Sequence, residues 1–115
     1  MNKQEIITFR EALLGIADMS AKSWVYLPSN KDWTLSSICA ILESDEVPPD
    51  LEDAPDAGVP EFAKQRRLIQ ALPVTVLQDV VRNARAQKPD ATIEDLFRAF
   101  QYYHKHDAFI KLLRD

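Results

Sequence analysis

Apolar residues recur along this chain mostly at helical spacing. Ile6, Phe9, Leu13, Ile16 and Ala17 form one stripe and predict a helix over about residues 3–18. Gly15 weakens its end by about 1 kcal/mol relative to alanine. Ser23 to Leu27, SWVYL, is short, aromatic and β-branched, and the turn residues Pro28, Ser29 and Asn30 end it. It is either an isolated extended segment or one strand of a small hairpin, and the connector reading is preferred because no neighbouring stretch offers an evident pairing strand. Thr34 can cap a helix running to Glu43, with Leu35, Ile38, Ile41 and Leu42 on one face and Cys39 beside it. Pro60 suits the first position of a helix over residues 60–72, lined by Phe62, Ile69 and Leu72 with Leu68 beside them. Pro73 punctuates, and Leu77, Val80, Val81 and Ala84 carry a further helix to about Lys88. Thr92 caps a last long helix, with Glu94 and Asp95 in its first turn and Ile93, Leu96, Phe97 and Phe100 as its stripe.

Beyond Phe100 that stripe meets Tyr103, His104 and Asp107. Two outcomes are open. The helix breaks and Asp107 caps a short final helix burying Phe109, Ile110, Leu112 or Leu113, or it continues and His104 and Asp107 form a buried polar pair. The expected fold is mainly α. It is a single domain over residues 1–115, a bundle of about five helices with a short extended segment near residues 23–27 and an acidic loop.

That loop is the stretch no helix or strand can absorb. Residues 43–56, ESDEVPPDLEDAPD, hold seven carboxylates, three prolines and no lysine or arginine. Such a segment repels itself and lacks backbone donors, so it reads as an acidic, proline-rich loop over residues 43–59. Charge is uneven along the chain. Residues 1–57 hold 11 acids and 4 bases, net −7, and residues 58–115 hold 7 acids and 10 bases, net +3. Phosphates would be repelled by the first half, so direct nucleic-acid binding is not expected there, and a basic protein surface is. Cys39 stands alone, which leaves no disulfide framework and no cysteine-based metal site. No stretch approaches a membrane span and the N-terminal residues lack a signal-peptide core, so a cytoplasmic protein without membrane contact is expected.

Candidate chemistry is sparse. His104 and His106 are two apart, which places them about 200° apart on a helix, on opposite faces. His104 and Asp107 offer two metal ligands where zinc needs about three or four. They also suit a general acid–base pair, but no nucleophile, oxyanion loop or glycine-lined pocket accompanies them. Cys39 has no activating histidine at a recognisable spacing. Asp45, Asp50 and Glu52 alternate like a cation loop, without the spacing or the sharp-turn glycine of an EF-hand. No cofactor is expected. Trp24 and Trp33 flank the turn and read as covers of the core, or as binding anchors if exposed. Arg66 and Arg67 either hold the acidic loop by charge or solvate their helix. Arg82, Arg85 and Lys88 suit a helix C-terminus better than a phosphate site.

Several pieces together resemble small bacterial immunity proteins encoded beside polymorphic toxins, including those of contact-dependent growth inhibition. The pieces are Leu42 with Asp45 and Glu46, Val80-Val81-Arg82-Asn83-Ala84 with Gln87, and Ala99-Phe100-Gln101-Tyr102-Tyr103 with Asp107-Ala108-Phe109-Ile110. The likeness spans roughly the last two-thirds of the chain. It implies a non-enzymatic protein that binds and neutralises the C-terminal domain of a cognate toxin, with a nuclease the expected target. Contacts vary within such a group, so no binding residue follows from the motif, and Asn83, Gln87, Tyr103 and Asp107 read as framework. Charge nominates Asp45, Glu46, Asp50, Glu52, Asp53 and Asp56 as the partner-binding residues. Two alternatives stand beside this: a small hydrolase-type enzyme using His104 and Asp107, and an adaptor that joins two proteins through its oppositely charged halves.

Overall fold

The computed structural model describes residues 6–43 and 59–110. Its organising element is the extended segment near residues 23–27, which is a central strand. That strand (β2, Ser23–Pro28) pairs antiparallel with Ile38–Glu43 (β3) on one edge, with Val25 opposite Ile41. On the other edge it pairs antiparallel with Leu68–Pro73 (β4), with Leu27 opposite Ile69. The two-residue β1 (Ile7–Thr8) extends the sheet beyond β3 through Ile7 and Cys39. The order is β1-β3-β2-β4.

The mainly α expectation is therefore overturned, and the fold is mixed α/β. Both misread segments are strands: β3 is covered on two faces, and β4 carries a bulge that breaks its alternation. In β3, Cys39 joins the core on one side, with Ile41 packed against it, while Ala40 and Leu42 pack on the other. When both faces are buried the period-2 alternation vanishes, and a short apolar run cannot be told from a helix by spacing. Residues 60–72 are also not one helix. They form a single helical turn (α2, Glu61–Lys64) that ends before Arg67, and β4 begins immediately after it. Arg67 adopts the left-handed conformation at φ 58°, which breaks the helical path.

The remaining helices follow their sequence signals more closely. The first (α1) is shorter than its stripe, Phe9–Gly15, followed by a 3₁₀ turn over Ile16–Asp18. It starts late because Thr8 and Glu11 form a capping box: Glu11 N donates to Thr8 Oγ1 at 3.1 Å and Thr8 N to Glu11 Oε1 at 3.0 Å. Pro73 ends β4 and opens α3 (Val74–Gln87) with no intervening loop. Thr92 caps α4 (Ile93–His106) with a second box, this time with Asp95. The helix does break at Asp107, but no helix starts there among the described residues, and Leu112 and Leu113 lie outside them. The helix runs to His106, Asp107 is its left-handed C-cap rather than the N-cap of a new helix, and His104 and Asp107 are exposed rather than a buried pair.

Two cores result. Helices α1, α3 and α4 cover one face of the sheet, where Phe9, Leu13, Val25, Leu27, Leu77, Leu96 and Phe100 are buried together. On the opposite face Tyr26, Ala40, Leu42, Val59, Ala63 and Leu68 form a smaller cluster, with Trp24 and Phe62 packed against it. Ala71 is an extra residue in the β2–β4 ladder, since Val25 faces Leu72 and Tyr26 faces Gln70. This bulge turns both Ala71 and Leu72 toward the helices. Phe9 meets Phe100 edge-on, with ring centroids 4.7 Å apart at 72°. Phe100 is completely buried. Truncation by Phe100→Ala is expected to cost about 3–5 kcal/mol, read as a lower denaturant midpoint at unchanged slope.

Candidate functional site

The stripe of α4 changes character along its length. Its first half buries Leu96, Ala99 and Phe100, and its second half brings aromatic rings to the surface. Tyr102 lies against His106, a helical turn away, with ring centroids 4.3 Å apart and tilted at 40°, and Tyr103 meets Phe109 at 5.5 Å. Trp33 comes from the β2–β3 loop. Its indole Nε1 donates to the Pro28 carbonyl at 2.7 Å, and its ring meets His104 edge-on at 4.8 Å. That hydrogen bond fixes the ring across the turn, so Trp33 serves as a wall of the surface as well as a cover of the core.

His104 lines two hollows. One, of about 210 Å³, is completed by Lys31, Trp33, Phe100 and Gln101. The other, of about 280 Å³, has Trp24, Leu72, Val76, Tyr103 and Asp107 among its walls. A third hollow, of about 260 Å³, lies apart from these between the 3₁₀ turn and α3, and includes Arg82 and Arg85. Trp24 and Trp33, which flank one turn in sequence, thus reach the same stretch of α4. No local pattern signals that meeting. Only the aromatic run at residues 102–104 hints at an exposed patch.

The groups singled out for chemistry take other roles. His104 and Asp107 form no hydrogen bond with each other among the described residues. Cys39 is buried, and burial pushes its thiol up to about 12, which keeps it neutral and non-nucleophilic. Among the described residues no group of three or more His, Cys, Asp or Glu could hold a metal ion. No described helix is long and apolar enough to cross a membrane.

Asp95 is the buried carboxylate of the described chain. Its carboxyl is lowered from 3.8 to about 2, chiefly by the hydrogen bond from the Thr92 backbone N–H and then by Lys88. Lys88 Nζ lies 3.0 Å from Oδ2 and Arg98 Nη2 2.9 Å from Oδ1. This carboxylate ties the end of α3 to the start of α4, so Lys88 leaves the basic cluster to serve the frame. Gln87 also has a framework part: its Nε2 donates to Asn83 Oδ1 at 2.8 Å and to the Ile110 carbonyl at 2.7 Å. Arg82 pairs with Asp79 at 2.9 Å in solvent, a contact of little net strength.

The acidic residues Asp45, Glu46, Asp50, Glu52, Asp53 and Asp56 lie outside the described residues. Their flanks are described. Glu43 ends β3 opposite Ser23, and Val59 is buried in the smaller core. Arg66 is engaged locally: its guanidinium lies over the Phe62 ring at 3.7 Å and donates to the Phe62 carbonyl at 2.8 Å.

A four-stranded antiparallel sheet with helices on one face and a single helical turn on the other therefore defines this domain. The chain belongs to the DUF7716 family, a domain of unknown function, whose model matches residues 6–112. No curated protein and no solved structure matches the chain significantly.

Two outcomes test the assigned roles. Because the folded-state value of Asp95, about 2, lies below the ordinary 3.8, its ionised form stabilises the fold above that ordinary value and loses the contribution as pH falls toward about 2. The melting-temperature gap between wild type and Asp95→Asn should be widest near neutral pH and narrow through that window. A gap independent of pH would show that its charge does not matter. Cys39 should resist alkylation in the native protein and react fully in denaturant; fast native labelling would contradict its burial.

Proposed function

We propose that this chain is a non-enzymatic binding protein of the immunity type, which engages the C-terminal domain of a cognate toxin in the cytoplasm and neutralises it. The observation that carries this reading is the fate of the only chemical-looking pair. His104 and Asp107 stand exposed on α4 without bonding to each other, while the same surface gathers Trp24, Trp33, Tyr103 and Phe109. Tryptophan and tyrosine are the residues that anchor protein interfaces. The acidic run of Asp45, Glu46, Asp50, Glu52, Asp53 and Asp56 supplies the complementary long-range term. Six carboxylates in one segment draw a basic partner toward the surface and speed encounter, and the aromatic rings give short-range grip. A basic nuclease domain is the partner this combination suits.

The test is binding to the polypeptide encoded beside this gene, followed by stopped-flow kinetics at low ionic strength. Replacing the six acids by Asn or Gln should slow association by about tenfold or more and flatten its salt dependence. An unchanged on-rate removes the acidic segment from the mechanism, and absence of binding removes the proposal. Co-expression separates this from the hydrolase alternative, because His104→Ala should still protect cells from the toxin.

A further inference from the structure

Asp107 occupies a position that local physics disfavours twice over. It closes α4 in the left-handed region at φ 54°, where glycine or asparagine is the less strained choice. Its carboxylate lies at the negative end of the helix dipole, where a cation is preferred. Among the described residues it accepts no hydrogen bond and makes no ion pair. The side chain instead lines the hollow of about 280 Å³ formed with Trp24, Tyr103 and His104 over Leu72 and Val76.

That set of walls selects its occupant. An anion would be repelled by the carboxylate. A purely apolar group would strip water from Asp107 and leave it unpaired. A planar cation satisfies both, since aromatic faces attract it and the carboxylate balances its charge. We propose that this hollow receives an arginine side chain of a basic partner protein, its guanidinium against the Trp24 and Tyr103 rings and paired with Asp107. The contact rests on the reading of the chain as a binder of a basic polypeptide, and it names the group by which that polypeptide is held. Tyr103 and Asp107, which read as framework in the sequence, become contact residues.

N-acetyl-arginine amide and its citrulline counterpart, equal in shape but uncharged, are the probes, followed by NMR of the Trp24 indole and the Tyr103 ring. The arginine compound should shift both saturably and the citrulline compound should not. Asp107→Asn keeps a residue that tolerates the left-handed position and removes only the charge. It should bind the arginine amide about tenfold more weakly at equal or higher melting temperature, and Asp107→Gly should do the same. Equal response to the two amides, no saturable response to arginine, or undiminished binding by Asp107→Asn would overturn the site. The polypeptide encoded beside the gene separates the two proposals. Full affinity for Asp107→Asn removes this contact and leaves the proposed function. Arginine binding without any binding of that polypeptide supports the contact and removes the proposed partner.

Discussion

Strand β2 imposes two demands at once: both of its edges need hydrogen-bonding partners and both of its faces need cover. Val25, Tyr26 and Leu27 are all fully buried, so their backbone groups have no access to water and must be paired within the protein. The two segments with enough extended reach to do so are residues 38–43 and 68–73, and they take the two edges. Once they are in place the helices have only one broad face to cover, and α1, α3 and α4 collect there. The other face falls to Tyr26 and Trp24, and it is closed by Ala63, Leu68 and Val59. The buried Tyr26 hydroxyl would be costly alone; Gln70 Nε2 donates to it at 3.0 Å from the neighbouring strand.

The two ends of α4 show how differently one helix can be treated. At the start, every local preference agrees. Thr92 caps, Asp95 completes the box, and its charge suits the positive end of the dipole and meets Lys88 and Arg98. At the finish, an aspartate sits where an uncharged or cationic residue would be favoured. Consistent local choices mark a position selected for folding. The conflict at Asp107 falls beside two aromatic rings and a hollow.

The same contrast orders the functional reading. Of the groups able to do chemistry, Asp95 and Lys88 are used by the fold and Cys39 is silenced by burial, while His104, His106 and Asp107 stand exposed. The surface features that the fold does not use are aromatic and charged. In the proposed reading, charge sets the rate of encounter and the rings hold the complex.

Composition and spacing alone carried the two long helices over residues 74–87 and 93–106, the Thr92 cap and the extended state of residues 23–27. Each of these depends on interactions within a few residues, such as an amphipathic stripe, a hydroxyl reaching the next turn, or β-branched crowding. The strand identity of residues 38–43 and 68–73 depended on tertiary structure, because neither a run buried on both faces nor one broken by a bulge has a period to read. The meeting of Trp24, Trp33 and Tyr103 around His104 depended on it as well. Those residues come from a strand, a loop and a helix that have no reason to be neighbours until β2 acquires its two partners and α4 lies across the face they create.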